Sequence, residues 1–283
     1  MNADERASRA TSLELTVQHA VAGDKEAINA LVTVLQGDLY GLSLRMLASR
    51  EEAEDATQEI LVRIVTRLSQ FDGRSSVRTW AYRVAVNYIL DLKKSAAERL
   101  NMSFERLAEG LSEVPSQEAF PESEQSLLIE EVKVGCTLGM LQCLDRPQRL
   151  AYVLGEILEM SGPEGAEALE ISPDLFRKRL QLARTAIVNF TKAYCGLVSD
   201  QAPCRCNRQV PGALKAGRLH VEACTLAAKE SSFAQTRALI RKVDKAQWAL
   251  QVHRTTQPRA SSLDFAKRLV DCLELHFNRG QGS

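Results

Sequence analysis

Residues 51–68, EEAEDATQEILVRIVTRL, decide the fold class. Ile60, Leu61, Ile64, Val65 and Leu68 recur at i, i+1, i+4, i+5 and i+8, which gives a helix one apolar, buried face. Asp55, Gln58, Glu59 and Val62 project from the other side, and Glu51, Glu52 and Glu54 make its first half strongly acidic. Such a face is either solvated or a dock for a basic partner helix, since complementary charge steers association and fixes register. Helical spacing recurs along the chain and period-two alternation does not, so the reading is all-α.

Downstream, residues 71–95 read FDGRSSVRTWAYRVAVNYILDLKKS. Gly73 and the paired serines predict a loop, with Ser76 capping the helix that follows. Val77, Trp80, Ala81, Val84, Ala85 and Tyr88 fall on a core side, and Thr79, Arg83, Asn87 and Lys94 on a polar side. Cations and an amide on one ladder suit contacts to phosphates and bases. The loop 71–76, which includes Phe71, Asp72, Arg74 and Ser75, could receive an extruded base at its mouth. Trp80 reads as core.

Around these stretches the chain has 283 residues, 45% apolar, 25% charged and 5% aromatic, an ordinary globular composition for about two domains. Lys plus Arg and Asp plus Glu are 36 each, so any electrostatic signal lies in segregation along the chain. Residues 74–99 carry a net charge of +4, residues 105–131 a net of −7, and residues 174–184 a net of +3. The organisation expected is a first helical domain over 24–97, a flexible acidic linker over 98–126, a second helical domain over 127–193, and a Cys-containing connector with a helical extension over 194–283. Seven cysteines, an odd number at low density, point to a reduced compartment rather than a disulfide framework. No signal-peptide core or membrane-length apolar run is legible, so a cytoplasmic location is expected.

The motif order within residues 24–94, LYGLSLRMLASREEAEDATQEILVRIVTRL and then FDGRSSVRTWAYRVAVNYILDLKK, resembles region two of bacterial RNA polymerase sigma factors of the extracytoplasmic-function class. The resemblance implies that Asp55, Gln58 and Glu59 face the clamp coiled coil of the polymerase. It implies that the loop 71–76 captures a flipped minus-ten base, and that Arg83, Asn87 and Lys94 follow the non-template strand. Primary sigma factors wedge the duplex open with an adjacent aromatic pair; Arg83 and Val84 stand there, which implies reliance on a good promoter sequence and a narrow regulon.

The second block contains SGPEGAEALEISPDLFRKRLQLARTAIVNF. Ser172, Pro173 and Asp174 predict a helix start, and Phe176, Leu180, Ala183, Ile187 and Phe190 mark its buried face. Arg177, Lys178, Gln181 and Arg184 share the opposite face. With a short helix before them at about 163–169, they predict a helix-turn-helix whose donors meet acceptors in the major groove. This block resembles sigma region four, whose target is the minus-thirty-five element; Ser172, Arg177, Lys178, Gln181 and Arg184 then stand at DNA, with Arg179 nearer the phosphates. Leu175 and Leu182 depart from the family pattern, which leaves base preference open there.

The resemblance implies core RNA polymerase, through clamp and flap, and promoter DNA as partners, a separate anti-sigma protein as a further candidate, and no catalysis or required cofactor. The alternative is a stand-alone dimeric helix-turn-helix regulator. A thiol oxidoreductase built on Cys204 and Cys206 lacks a legible sheet. Beyond Ala193, Cys195, Cys204, Cys206 and His220 offer four zinc ligands at a spacing unlike a standard finger. Arg205 and Arg208 are expected to favour thiolate, so metal binding, redox sensing and incidental thiols all stay open. Cys136, Cys143, Cys224 and Cys272 fall in helical runs. The amphipathic stripe Leu263, Ala266, Leu269, Val270, Leu273 and Phe277 suggests an extension that packs on the two domains and restrains them.

Overall fold

The computed structural model describes residues 15–112, 126–219, 245–256 and 258–269. These residues form helices, loops and no extended strand; Cys195 and Cys204 pair in an isolated parallel bridge. The all-α expectation holds.

Three helices build the first block: α1 (Lys25–Leu47), α2 (Arg50–Thr66) and α3 (Val77–Asp91). Each has a side-chain N-cap that satisfies orphan amides: Asp24 accepts from the N–H groups of Glu26 and Ala27, Ser49 from Glu52, and Ser76 from Thr79. On α2 the spacing delivers a buried face of Ile60, Leu61 and Ile64, with Val65 half-buried. On α3 the buried set is Val77, Thr79, Trp80, Ala81, Tyr82, Ala85, Val86 and Ile89. Val84 and Tyr88 are therefore half-buried, and Thr79 belongs to the interior, its hydroxyl 2.9 Å from Ser76 Oγ. Thr79 thus leaves the expected polar ladder, while Arg83, Asn87 and Lys94 stay on the accessible side.

The stretch read as a solvated linker begins with structure: α4 (Ala96–Arg99) and α5 (Phe104–Ser112). Net charge concealed an apolar face of Phe104, Leu107, Ala108 and Leu111, at i, i+3, i+4 and i+7. Phe104 packs its ring 5.2 Å from that of Phe190, and Ala108 is buried. The remaining linker residues, 113–125, lie outside the described residues.

The second block comprises α6 (Ser126–Gln142), α7 (Arg146–Tyr152) running into a π-turn (Val153–Ile157), α8 (Gly162–Ala168) and α9 (Pro173–Tyr194). One continuous apolar core joins it to the first block, from Leu31 and Ile60 through Tyr152 to Phe176 and Ile187. The two blocks are packed together rather than held apart on a strap.

A buried ionic knot sits at their junction. Arg146 makes a two-pronged bond to Glu98, Nε to Oε1 at 2.8 Å and Nη2 to Oε2 at 2.6 Å. The same guanidinium donates to the carbonyls of Ile89, Leu92 and Lys93 at 3.1, 2.8 and 3.1 Å, where α3 ends. Arg149 donates to Glu98 at 3.2 Å, to Met46 O at 2.6 Å near the end of α1, and to Leu141 and Leu144 carbonyls at 2.9 and 3.0 Å. Arginines of the second block thus cap helix C-termini of the first, where unpaired carbonyls and the negative dipole end favour cations. Burial alone would raise the Glu98 carboxyl, but hydrogen bonds from Arg146 and the Ser95 amide, with the charges of Arg149 and Arg146, hold it down at about 2.

Beyond α9, α10 (Cys206–Lys215) packs on α6, and α11 (Lys245–Thr255) packs on α9 and the π-turn. Arg254 of α11 donates to Glu156 O at 2.9 Å and pairs with the Glu156 carboxylate. His253 lies buried, edge-on to Tyr152 with ring centroids 5.5 Å apart; burial and the charge of Arg45 lower it to about 3, so the ring is neutral. Residues 261–269 rest on the first block. Ser261 Oγ donates to Glu54 at 2.7 Å, Arg50 donates to Ser262 Oγ at 3.0 Å, and the Phe265 ring stands 6.3 Å from Tyr40. Ala266 and Leu269 are buried as the stripe predicts; Val270, Leu273 and Phe277 lie outside the described residues.

Glu98→Gln leaves Arg149, itself 2% exposed, without its anionic partner, and is expected to destabilise the protein by about 3 kcal/mol at neutral pH. Because the folded carboxyl titrates below its unfolded value of 4.5, its contribution is full above that value and is lost as pH falls towards about 2. The difference in unfolding free energy between wild type and variant, followed by denaturant titration at several pH values, should shrink over that window.

Candidate functional site

Two polar surfaces carry the residues singled out from the sequence. On α2, Asp55 and Glu59 are exposed and Glu59 pairs with Arg63 at 3.2 Å, while the Arg63 guanidinium lies 4.6 Å over the Tyr88 ring. Gln58 is half-buried, with Oε1 enclosed and lacking a hydrogen-bond partner. In the loop before α3, Phe71 leans on Trp80 at 5.7 Å between centroids, and Trp80 is core. Asp72 accepts from the Arg74 amide at 3.1 Å and pairs with its guanidinium at 2.6 Å, contacts that hold its carboxyl below the usual range; Ser75 is half-buried beside them. Along α3, Arg83 is half-buried, and Asn87 and Lys94 are exposed.

The second surface is a helix-turn-helix formed by α8 and α9. Ser161 and Glu164 close a reciprocal capping box at the start of α8. The two helices meet at Gly165, where a Cβ would lie 2.3 Å from the Phe176 ring, so no larger residue fits without displacement. Glu170 turns the chain in the left-handed region at φ 52°. Ser172 then caps α9, accepting from the Leu175 amide at 3.2 Å, with Pro173 at the first helical position. Phe176, Leu180, Ala183, Ile187 and Phe190 are all buried, as their spacing predicts. Arg177, Lys178 and Gln181 are exposed, and Arg179 is half-buried. Arg177 pairs with Asp174 in the first turn. Arg184 is half-buried and bound to the buried carboxylate of Glu156, which removes it from the open ladder. Leu175 and Leu182 are exposed among the cations.

The two surfaces are in contact. Helix α8 packs against α3, and Asn87 donates to Glu170 Oε2 at 3.0 Å.

Residues 31–99, spanning α1 to α4, match the family model of Sigma-70 region 2. SigW of Bacillus subtilis, an ECF RNA polymerase sigma factor, is 28% identical over 183 residues, covering 60% of this chain and 92% of SigW. The RNA polymerase sigma-H factor of Pseudomonas aeruginosa is 28% identical over 174 residues, covering 60% of this chain and 89% of the relative. These relatives are sigma factors, which supports a sigma-factor role for this chain. A solved structure of CnrH in complex with the cytosolic domain of CnrY is also similar, at 23% identity and a TM-score of 0.44, covering 61% of this chain and 92% of CnrH.

The alignments to SigW and sigma-H leave about two fifths of this chain unmatched. In its connector, the Cys204 N–H donates to Tyr194 O at 3.1 Å and the Gly196 N–H to Cys204 O at 3.0 Å, so Cys195 and Cys204 face one another. The expected thiolate-favouring effect of Arg205 and Arg208 is overturned by burial, which raises Cys195 and pushes Cys204 up to about 11. Arg205 instead spends its guanidinium on the carbonyls of Ala202, Cys204 and Asp200. Among the described residues no group of three or more His, Cys, Asp or Glu side chains could hold a metal ion, and His220 lies outside them. Cys136 and Cys143 are half-buried; Cys224 and Cys272 lie outside the described residues. No described helix of this chain is long and apolar enough to cross a membrane.

Sequence reasoning missed Glu98, Arg146 and Arg149, because nothing local distinguishes them from surface charges. It also missed Gly165 and Ser161, although S-x-x-E at 161–164 is a capping-box signal that could have been read.

Proposed function

We propose that this chain is a sigma factor that binds core RNA polymerase through the acidic face of α2, centred on Asp55 and Glu59 with Gln58 at its edge, and directs the enzyme to promoters. The loop with Phe71, Asp72, Arg74 and Ser75, followed by Arg83, Asn87 and Lys94, takes the non-template strand of the minus-ten element. Helix α9 reads the minus-thirty-five element from the major groove with Arg177, Lys178 and Gln181, Ser172 and Arg179 on phosphates. The observation that carries the reading is a helix-turn-helix with an exposed basic ladder in the same chain as a sigma region-two domain. Promoter capture belongs to the assembled holoenzyme, which a stand-alone dimeric regulator would not need.

The packing of α8 on α3 is a closed form, in which the two DNA faces crowd one another. A linker-spaced pair of promoter elements requires them to separate. The extension supports the closed form by touching both blocks at once, α11 through Arg254 and Glu156, and residues 261–269 through Glu54, Arg50 and Tyr40. In this reading the extension takes the restraining role that a separate anti-sigma protein would otherwise have. When Arg184 is released from Glu156 it rejoins the basic ladder.

Run-off transcription with core polymerase tests the whole reading. Asp55→Lys should abolish co-purification with core polymerase while helical content is unchanged; undiminished pull-down would reject the docking face. Arg177→Ala should weaken holoenzyme binding to a cognate upstream element by about 1–3 kcal/mol, and equal losses on scrambled DNA would demote it to a phosphate contact. Phe265, 2% exposed against Tyr40, anchors the extension. Phe265→Ala should raise the affinity of the unassembled protein for upstream-element DNA about tenfold, equivalent to some 1.4 kcal/mol of lost closure, in a fluorescence anisotropy titration.

A further inference from the structure

The chain has four histidines, and His253 is held where a proton is unwelcome. It lies on α11, the helix that carries the extension onto the second block, and is 2% exposed. Both ring nitrogens, Nδ1 and Nε2, are enclosed and lack a hydrogen-bond partner, as does the hydroxyl of the neighbouring Tyr152. The two rings meet edge to face. Even a neutral imidazole forfeits hydrogen bonds to water in such a place. An imidazolium, with two donors and a full charge, forfeits far more.

The surroundings offer that charge no compensation. Among the described residues the charge that reaches the ring is that of Arg45 on α1, a like charge. Burial lowers the Arg45 guanidinium only to about 10, so it stays cationic at neutral and mildly acid pH. Tyr152 of α7 is kept a neutral phenol by burial. On the π-turn side, Glu156 already pairs with Arg184 of α9 and Arg254 of α11, and Glu159 pairs with Arg254 at 3.4 Å. The end of α9 and the connector bring Cys195, a thiol raised by burial, and the apolar Val188 and Val198, which pack with Ala249 and Val252 of α11. A helix of 11 residues is marginal in water on its own, so α11 depends on these contacts for its place.

We propose that His253 is a proton-sensitive latch: acid releases the extension from the two blocks, because the imidazole can take a proton only when α11 is undocked. The docked form and one proton give the released form with an imidazolium in water, and no covalent bond other than that N–H changes. Burial and the charge of Arg45 hold the docked ring at about 3, against its ordinary value of 6.5. A histidine lowered in this way favours docking fully above 6.5, and the contribution is lost as pH falls from 6.5 towards 3. Departure of α11 also takes Arg254 away from Glu156. The inference rests on the closed form of the proposed function for its consequence at DNA, but the docking equilibrium can be read without it.

Hydrogen exchange of the full-length protein, followed by mass spectrometry over peptides covering α11 and corrected for the intrinsic rate at each pH, tests the latch. Protection in wild type should fall about 30-fold between pH 7.5 and pH 5, the ratio set by ring values of 6.5 and about 3. Glu98 stays ionised throughout that range, so the knot between the blocks is not titrated. His253→Phe, which cannot titrate, should keep its protection at pH 5. The triple variant His19→Gln, His220→Gln, His276→Gln should respond as wild type. Should His253→Phe prove misfolded by circular dichroism, ring-carbon NMR of histidine-labelled wild type decides instead, with one ring titrating well below the exposed His19. Flat protection in wild type, an acid response surviving in His253→Phe, its loss in the triple variant, or four rings titrating together would each overturn the latch. Binding to upstream-element DNA over the same range separates the two readings: release of α11 without a gain in affinity would support the latch and overturn the closed form as the restraint on DNA binding.

Discussion

The structure turns on Glu98 and the two arginines that converge on it. Removing three charged groups from water is costly, and a buried ion pair alone is weak evidence of stability. Here the guanidiniums do more than neutralise a carboxylate. Arg146 and Arg149 also donate to backbone carbonyls at the ends of α1, α3 and α6, groups that would otherwise be buried without partners. Gln142 adds bonds to the carbonyls of Arg45 and Met46 at 3.4 and 3.3 Å. The knot therefore fixes the register of one block on the other, where apolar packing alone would tolerate sliding.

That register decides what the surfaces can do. With α8 seated on α3, Asn87 is bonded to Glu170 and the helix-turn-helix stands against the helix that follows the loop of Phe71 to Ser76. Glu156 plays a similar part: its buried carboxylate takes Arg184 from α9 and Arg254 from the extension. One acid thus ties the polar face of α9 to the position of the C-terminal segment. The acidic face of α2 remains exposed at Asp55 and Glu59, so a partner can reach this chain before its two blocks part.

Much of this was legible in the sequence, and the failures have physical causes. The faces of α2 and α9 follow from spacing because each helix buries one continuous stripe. The face of α3 differs from the expected one because Thr79, polar by type, is buried beside Ser76, and because Tyr82 and Val86 are buried against neighbours that local periodicity does not reveal. The linker was misjudged because net charge averages over a helix whose acids all face water. The exposed cations of α9 were found, yet Arg184 was counted with them, since Glu156 lies 28 residues away in the chain. The thiols were noticed in the connector, but Cys136, contributed by a helix some 60 residues earlier, joins them only through tertiary packing.

The arginine caps on α3 have a thermodynamic consequence. Were the blocks to separate, as the proposed function requires, the carbonyls of Ile89, Leu92 and Lys93 would lose a charged donor and turn to water, so the last turn of α3, next to Lys94, would loosen. Any ligand that engages only the parted form sees its intrinsic affinity multiplied by the small fraction of molecules that are open. Under the proposed function, weak promoters would be filtered before any base is read, and selectivity would belong to the hinge as much as to the groove.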